Sequence, residues 1–163
     1  MTSQRILSLL PKAVVVLALA QGCALRPPVK NSGPTMSTEG IQLAVTRQSC
    51  YETKDPDFRD DDLAEAILEI EVRNGAQTPV TVHRDAFQLV TAGPDRVYLR
   101  TQTWGAAQPM TVNGGASSTF ELRFMTRGSL KCASDLTLDP DAGLLIADHP
   151  VKVNSISFRP SQG

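Results

Sequence analysis

Three cysteines, two histidines and a set of aspartates are the residues in this 163-residue chain whose chemistry comes first. Cys23, Cys50 and Cys132 make an odd number. The set resolves if Cys23 is modified and Cys50 bonds to Cys132, which an oxidising compartment permits. Closing a loop of about 80 residues stabilises a domain by roughly 4–5 kcal/mol in the chain-entropy picture. The competing reading is a pair of buried free thiols. Asp55 and Asp57 flank Pro56 in a loop with five aspartates, and Asp139 and Asp141 repeat the Asp-Pro-Asp pattern. Such carboxylates are hard oxygen ligands suited to calcium. The spacing matches no EF-hand, because no Gly sits at the sharp turn and no Glu closes the loop. A solvated acidic loop is the competing reading.

Copper chemistry fares worse. His83, His149, Met110 and Met125 are scattered without ligand spacing. Nucleophilic catalysis needs an activated Ser or Cys beside an oriented base, and no Gly-x-Ser-x-Gly elbow or phosphate-cradling Gly loop is present. The residues therefore predict a protein that is not an enzyme and carries no cofactor, with calcium as the one cofactor to test. Trp104 is the sole tryptophan and lies in an irregular stretch near Tyr98. A large aromatic there is either an interface anchor or a cap on the end of the fold.

The elements that position these residues are short and alternating. Leu68, Ile70 and Val72 alternate with Glu69, Glu71 and Arg73, which marks a strand with one buried and one wet face. Asn74-Gly75 reads as a turn, since both residues tolerate positive φ. Strands follow around Val80–His83 and Phe87–Thr91, then over Arg96–Thr101 after an Ala-Gly-Pro-Asp turn. Ile41, Leu43 and Val45 open a first strand running toward Cys50. Phe120, Leu122 and Phe124 face one way in a strong strand over Ser117–Met125. Leu136 and Leu138 mark another, and Leu144–Ala147 is ambiguous. Val151 and Val153 are out of phase with Ile156 and Phe158, so a bulge or corner is expected at Asn154-Ser155. No amphipathic helix is visible after residue 23. This pattern predicts an all-β, antiparallel sandwich of about seven to nine short strands over residues 41–160. Aromatics are 5% of the chain, so its core must rest on Val, Leu and Ile.

The first forty residues differ in kind. Arg5 and Lys12 precede an unbroken apolar run from Ala13 to Ala20. Eight residues are too few to span about 30 Å of hydrocarbon, so this is a secretory signal segment, residues 1–22. Its end, Leu19-Ala20-Gln21-Gly22-Cys23, resembles the lipobox of bacterial lipoproteins. That resemblance implies a diacylglyceryl group on the Cys23 sulfur, cleavage before Cys23 and an acylated amino terminus. Two or three acyl chains make a firm anchor in the lipid bilayer. Ala24 in place of Asp after the cysteine implies the outer membrane if the organism is Gram-negative. Ordinary signal cleavage or a buried apolar segment are the rival readings. Residues 23–40 continue as a Pro-, Gly- and Ser-containing tether. Its seventeen residues from Ala24 span roughly 22 Å as flexible coil. Without the leader, 14 basic and 17 acidic residues remain, a formal charge of −3. No basic patch of the kind nucleic acid needs is visible.

Within the domain, Leu68-Glu-Ile-Glu-Val-Arg-Asn74, Pro79-Val-Thr-Val82 and Phe87-Gln-Leu89 are followed later by Gly114-Gly115-Ala-Ser-Ser-Thr-Phe-Glu-Leu-Arg-Phe124. This succession resembles the secreted Ig-like domains found on bacterial lipoproteins and immunogenic exported proteins. The likeness runs from about Ile41 to Phe158. It implies an Ig-like sandwich and a non-catalytic role, binding another envelope protein or a surface polymer. The rival function is a small-ligand or calcium-binding envelope protein using the aspartate loops. A weaker third is an inhibitor presenting a loop to an enzyme. An Ig-like frame does not decide among them, because function sits in what is grafted onto it.

Overall fold

A computed structural model describes residues 33–54, 62–92, 96–102, 108–128 and 130–160. Among them the chain forms twelve strand segments: β1 (Thr35–Met36), β2 (Ile41–Lys54), β3 (Asp62–Asn74), β4 (Val80–Val82), β5 (Gln88–Thr91), β6 (Tyr98–Arg100), β7 (Met110–Val112), β8 (Ser117–Arg127), β9 (Leu136–Asp139), β10 (Leu144–Ile146), β11 (His149–Pro150) and β12 (Ile156–Phe158). One 3-10 turn, Arg84–Ala86, separates β4 from β5. All pairings are antiparallel. They build three sheets, ordered β1-β2-β3-β8, β11-β10-β4-β7 and β12-β9-β5-β6. The first sheet is one layer of the sandwich. The two smaller sheets, joined through the 3-10 turn, supply the other.

The all-β antiparallel fold expected from the alternation is present, with more segments than the expected seven to nine. Two of the twelve are two-residue bridges. Three others are long: β2, β3 and β8 hold 14, 13 and 11 residues. Their length has a cause in the sequence. β3 keeps strict alternation from Ala64 to Val72, and every inward residue there is essentially fully buried. β8 adds Phe120, Leu122 and Phe124 on the same face. Each such apolar side chain contributes roughly 1.5–3 kcal/mol on burial. The inward residues of all three sheets meet in one apolar cluster. Within it the Phe87 and Phe120 rings pack edge to face, centroids 5.8 Å apart.

β2 extends past the expected first strand because of a bulge. Val45 pairs with Ile70 and Arg47 with Glu69, so Thr46 is an extra residue. The bulge reverses which positions face the core. Ile41 and Leu43 point inward before it, and Cys50 points inward after it. Cys50 thus lies within β2 rather than at its end. Thr46 Oγ1 ties the bulge down by donating to Glu69 Oε1 at 2.8 Å.

Turn chemistry differs from the reading of Asn74-Gly75. Neither residue has positive φ; Gly40, Gly115 and Gly128 do. Asn74 is 1% exposed. Its Nδ2 donates to the Thr78 and Val112 carbonyls, both at 2.9 Å, and its Oδ1 accepts from the Ala76 amide at 3.0 Å. Gly75 is required for space: a Cβ there would stand 2.8 Å from the Gly40 carbonyl oxygen. β10 and β11, from the ambiguous stretch, form a hairpin across Ala147 and Asp148, with φ of 47° and 65°. That is the sign of φ that a two-residue hairpin turn of the primed type needs. The corner expected at Asn154-Ser155 lies in the strand-free stretch between β11 and β12. β1 falls inside the stretch read as tether, because Thr35 and Met36 pair with Leu43 and Gln42.

Candidate functional site

The Cys50–Cys132 disulfide is formed, with Cα atoms 5.5 Å apart and a sequence separation of 82 between the partners. β2 aims Cys50 inward, and Cys132 sits in the turn before β9. Both cysteines are 2% exposed. The Glu52 side chain, on the next inward position of β2, accepts from the Cys132 amide at 2.5 Å. A buried bond with this support staples the far end of β2 to the opposite layer. It is built for structure, since redox-active disulfides need access. The free-thiol reading is therefore set aside. Cys23 lies outside the described residues.

Of the candidate calcium ligands, Asp55 and Asp57 also lie outside the described residues. Asp139 ends β9 and Asp141 follows in a turn with φ of 42°. Their carboxylates are engaged locally. Asp139 Oδ1 accepts from the Asp141 amide at 3.0 Å, and Asp141 Oδ2 accepts from Gln88 Nε2 at 3.3 Å. Asp141 shares an open recess with Asp85, Gln88 and Arg100. Arg100 stands opposite Gln88 in the β5–β6 pair. Among the described residues, no three His, Cys, Asp or Glu side chains come together as a metal site.

Trp104 falls outside the described residues. Tyr98, its candidate companion, begins β6 and is 57% exposed. Two further exposed apolar side chains escaped the sequence reading, Met36 at 62% and Tyr51 at 46%. Tyr51 was legible in principle, since it continues the outward alternation beyond the bulge. Met36 was not, because nothing marked residues 35–36 as strand. The histidines and methionines are not gathered. His83 directly precedes the 3-10 turn, and its amide donates to the Gly143 carbonyl. Met110 Sδ accepts from Ser118 Oγ at 3.4 Å.

The outer face of the first sheet is charged. Arg73 pairs with Glu71 at 2.8 Å, and Arg123 reaches Glu121 at 2.7 Å and Glu65 at 3.6 Å. The Glu121 hydrogen bond raises the pKa of Arg123 above its ordinary value, as Glu71 does for Arg73. These groups are solvent-exposed and order the surface without making a reactive centre. No helix among the described residues is long and apolar enough to cross a membrane.

No protein-family model matches the chain, and no curated protein matches it. Among solved structures it is similar to YcdA, a candidate lipoprotein of Bacillus subtilis. That alignment has a TM-score of 0.50 and 17% identity, covering 76% of this chain and 38% of the other. The chain thus spans well under half the length of that protein. A structural-genomics target aligns at a TM-score of 0.48 with 10% identity, over 74% of this chain and 86% of its own. A protein from Archaeoglobus fulgidus aligns at 0.35 with 12% identity, over 72% and 98%. At 17% identity the likeness to YcdA is one of fold.

Proposed function

We propose that the chain is an exported bacterial protein anchored to the cell envelope through acylated Cys23, and that its sandwich is a non-catalytic module for another envelope component. The observation that carries this reading is the Cys50–Cys132 bond. It accounts for two of three cysteines by chemistry suited to an oxidising compartment. The third is the cysteine that ends Leu19-Ala20-Gln21-Gly22-Cys23. The fold shared with a candidate lipoprotein adds support of a coarser kind. Placement in the outer membrane of a Gram-negative cell follows by analogy from Ala24.

Cys23→Ser tests the anchor. In cells the wild type fractionates with membranes, and its amino-terminal peptide carries the added mass of acyl chains. The variant loses that mass and its membrane association while the sandwich stays folded. Retention of the variant in membranes at wild-type level would sink the reading.

The calcium alternative makes a different demand. A cation at Asp139 and Asp141 competes with the Asp141 amide and Gln88, which already bond one oxygen of each carboxylate. We expect 1 mM calcium to leave the melting temperature unchanged. A rise of several degrees, abolished by Asp139→Asn with Asp141→Asn, would install calcium binding instead.

A further inference from the structure

The chain holds two Asn-Gly pairs, Asn74-Gly75 and Asn113-Gly114, and the fold treats them in opposite ways. An asparagine followed by glycine is chemically labile, because no Cβ on the glycine crowds the approach of its nitrogen to the carboxamide. At the first pair both reacting groups are held. The Asn74 side chain is buried and bonds the Thr78 and Val112 carbonyls and the Ala76 amide. The Gly75 amide, the nitrogen that would attack, donates to the Gly40 carbonyl at 3.1 Å.

At the second pair both groups are free. Asn113 and Gly114 are exposed in the turn between β7 and β8. The Ala116 amide donates to the Asn113 carbonyl at 3.0 Å, and Gly115 takes a φ of 73°. Among the described residues nothing bonds the Asn113 carboxamide, and the Gly114 amide donates to no carbonyl. Gly114 is also fixed as glycine, because a Cβ there would collide with the Gln77 carbonyl oxygen. The labile pair is therefore built into the turn.

We propose that Asn113 is a site of spontaneous deamidation in the folded protein, and that the fold shields Asn74 from the same reaction. The deprotonated Gly114 nitrogen bonds to Asn113 Cγ. The Cγ–Nδ2 bond breaks, and Nδ2 leaves as ammonia with a proton from water. The product is a five-membered succinimide. Water then adds to one of its two carbonyl carbons and the bond from that carbon to the Gly114 nitrogen breaks. Opening at Cγ leaves an aspartyl residue. Opening at the backbone carbonyl carbon leaves an isoaspartyl residue, whose main chain is one carbon longer. Water is the only co-reactant and nothing is oxidised or reduced. The longer chain disturbs the turn where it matters most. The Gly115 amide donates to the Asn74 carbonyl, and the Asn74 amide to the Ala116 carbonyl, so the same turn is one wall of the Asn74 junction. Gly115, Ala116 and Ser117 also line an open recess with Met36, Gln42 and Arg73, which the isoaspartyl form reshapes. This chemistry is independent of what the sandwich binds and of how the chain is anchored.

Peptide mapping by mass spectrometry tests the proposal on the purified full-length protein, aged in mildly alkaline buffer with and without strong urea. In native buffer Asn113 converts at least about tenfold faster than Asn74, whose reaction waits on opening of the junction. In urea the two rates become similar, because both are then bare Asn-Gly pairs. The native rate at Asn113 rises with pH, since the nucleophile is a deprotonated amide. Similar rates at Asn74 and Asn113 in native buffer would overturn the proposal, as would an Asn113 that converts only in urea. An Asn113→Asp variant carries the new charge on an ordinary backbone. Hydrogen exchange at the Gly115 amide is unchanged in that variant and faster in the isoaspartyl product. Equal exchange in the two would overturn the loosening of the junction.

Discussion

Asn74 shows how much one side chain can hold. It is buried where β3 ends, and it bonds two carbonyls and one amide from three different places in the chain. Its own amide donates to the Ala116 carbonyl, and its carbonyl accepts from Gly115. Asn74→Ala keeps the backbone bonds and removes the side-chain ones. The Val112 carbonyl then loses its partner in a buried site, and the Thr78 carbonyl and Ala76 amide lose theirs at part-buried positions. The expected loss of stability is about 2–4 kcal/mol, read from a urea titration. A loss below about 0.5 kcal/mol would mean water replaces the side chain freely. In the sequence, Asn74-Gly75 signalled a turn, and a turn is there. The physical reason was hidden, because it lies in Gly40, Thr78 and Val112, contacts that no local pattern announces.

At the scale of elements, alternation was the legible signal and its interruptions were not. β3 and β8 follow period two, so their inward residues could be named from the sequence. β2 breaks period two at Thr46, and alternation read from Ile41 alone stops there. Only pairing with β3 shows that the strand continues. This makes a sharp expectation for deletions. Removing Thr46 leaves Val45 opposite Ile70 and Arg47 opposite Glu69 in a regular ladder, with Cys50 still inward. The cost is the local twist and the Thr46–Glu69 hydrogen bond, on the order of 1 kcal/mol. Removing Ser49 instead shifts every later residue by one, which turns Cys50 outward or drives Arg47 into the core. Titration of thiols under denaturing conditions separates the two. The Thr46 deletion retains the disulfide, and the Ser49 deletion exposes two free thiols from Cys50 and Cys132. Free thiols in both, or in neither, would show that the bulge does not set the register.

For the molecule as a whole, the disulfide and the core do different work. The core cluster spans all three sheets and draws on most strands, so it resists through many small contributions. The disulfide is a single link between β2 and the turn before β9, across a sequence separation of 82. In the chain-entropy picture such a loop is worth about 4.5 kcal/mol. Ordinary domains have total stabilities of about 5–15 kcal/mol, so this link is a large share. Because both cysteines are 2% exposed, a reductant cannot reach the bond until the end of β2 opens. The reduction rate in native buffer should therefore follow unfolding, rising steeply with urea and hardly at all with reductant concentration once opening is limiting. A Cys50→Ala, Cys132→Ala variant should lose about 4–5 kcal/mol in urea titration while keeping its strand content at low temperature. Reduction that is fast in native buffer and first order in reductant would show a locally accessible bond. The cysteine pair was readable because the lipobox-like end claims Cys23 and leaves two cysteines to bond. A partner for Tyr98 or Trp104 was not, since recognition depends on surface shape that strand periodicity does not encode.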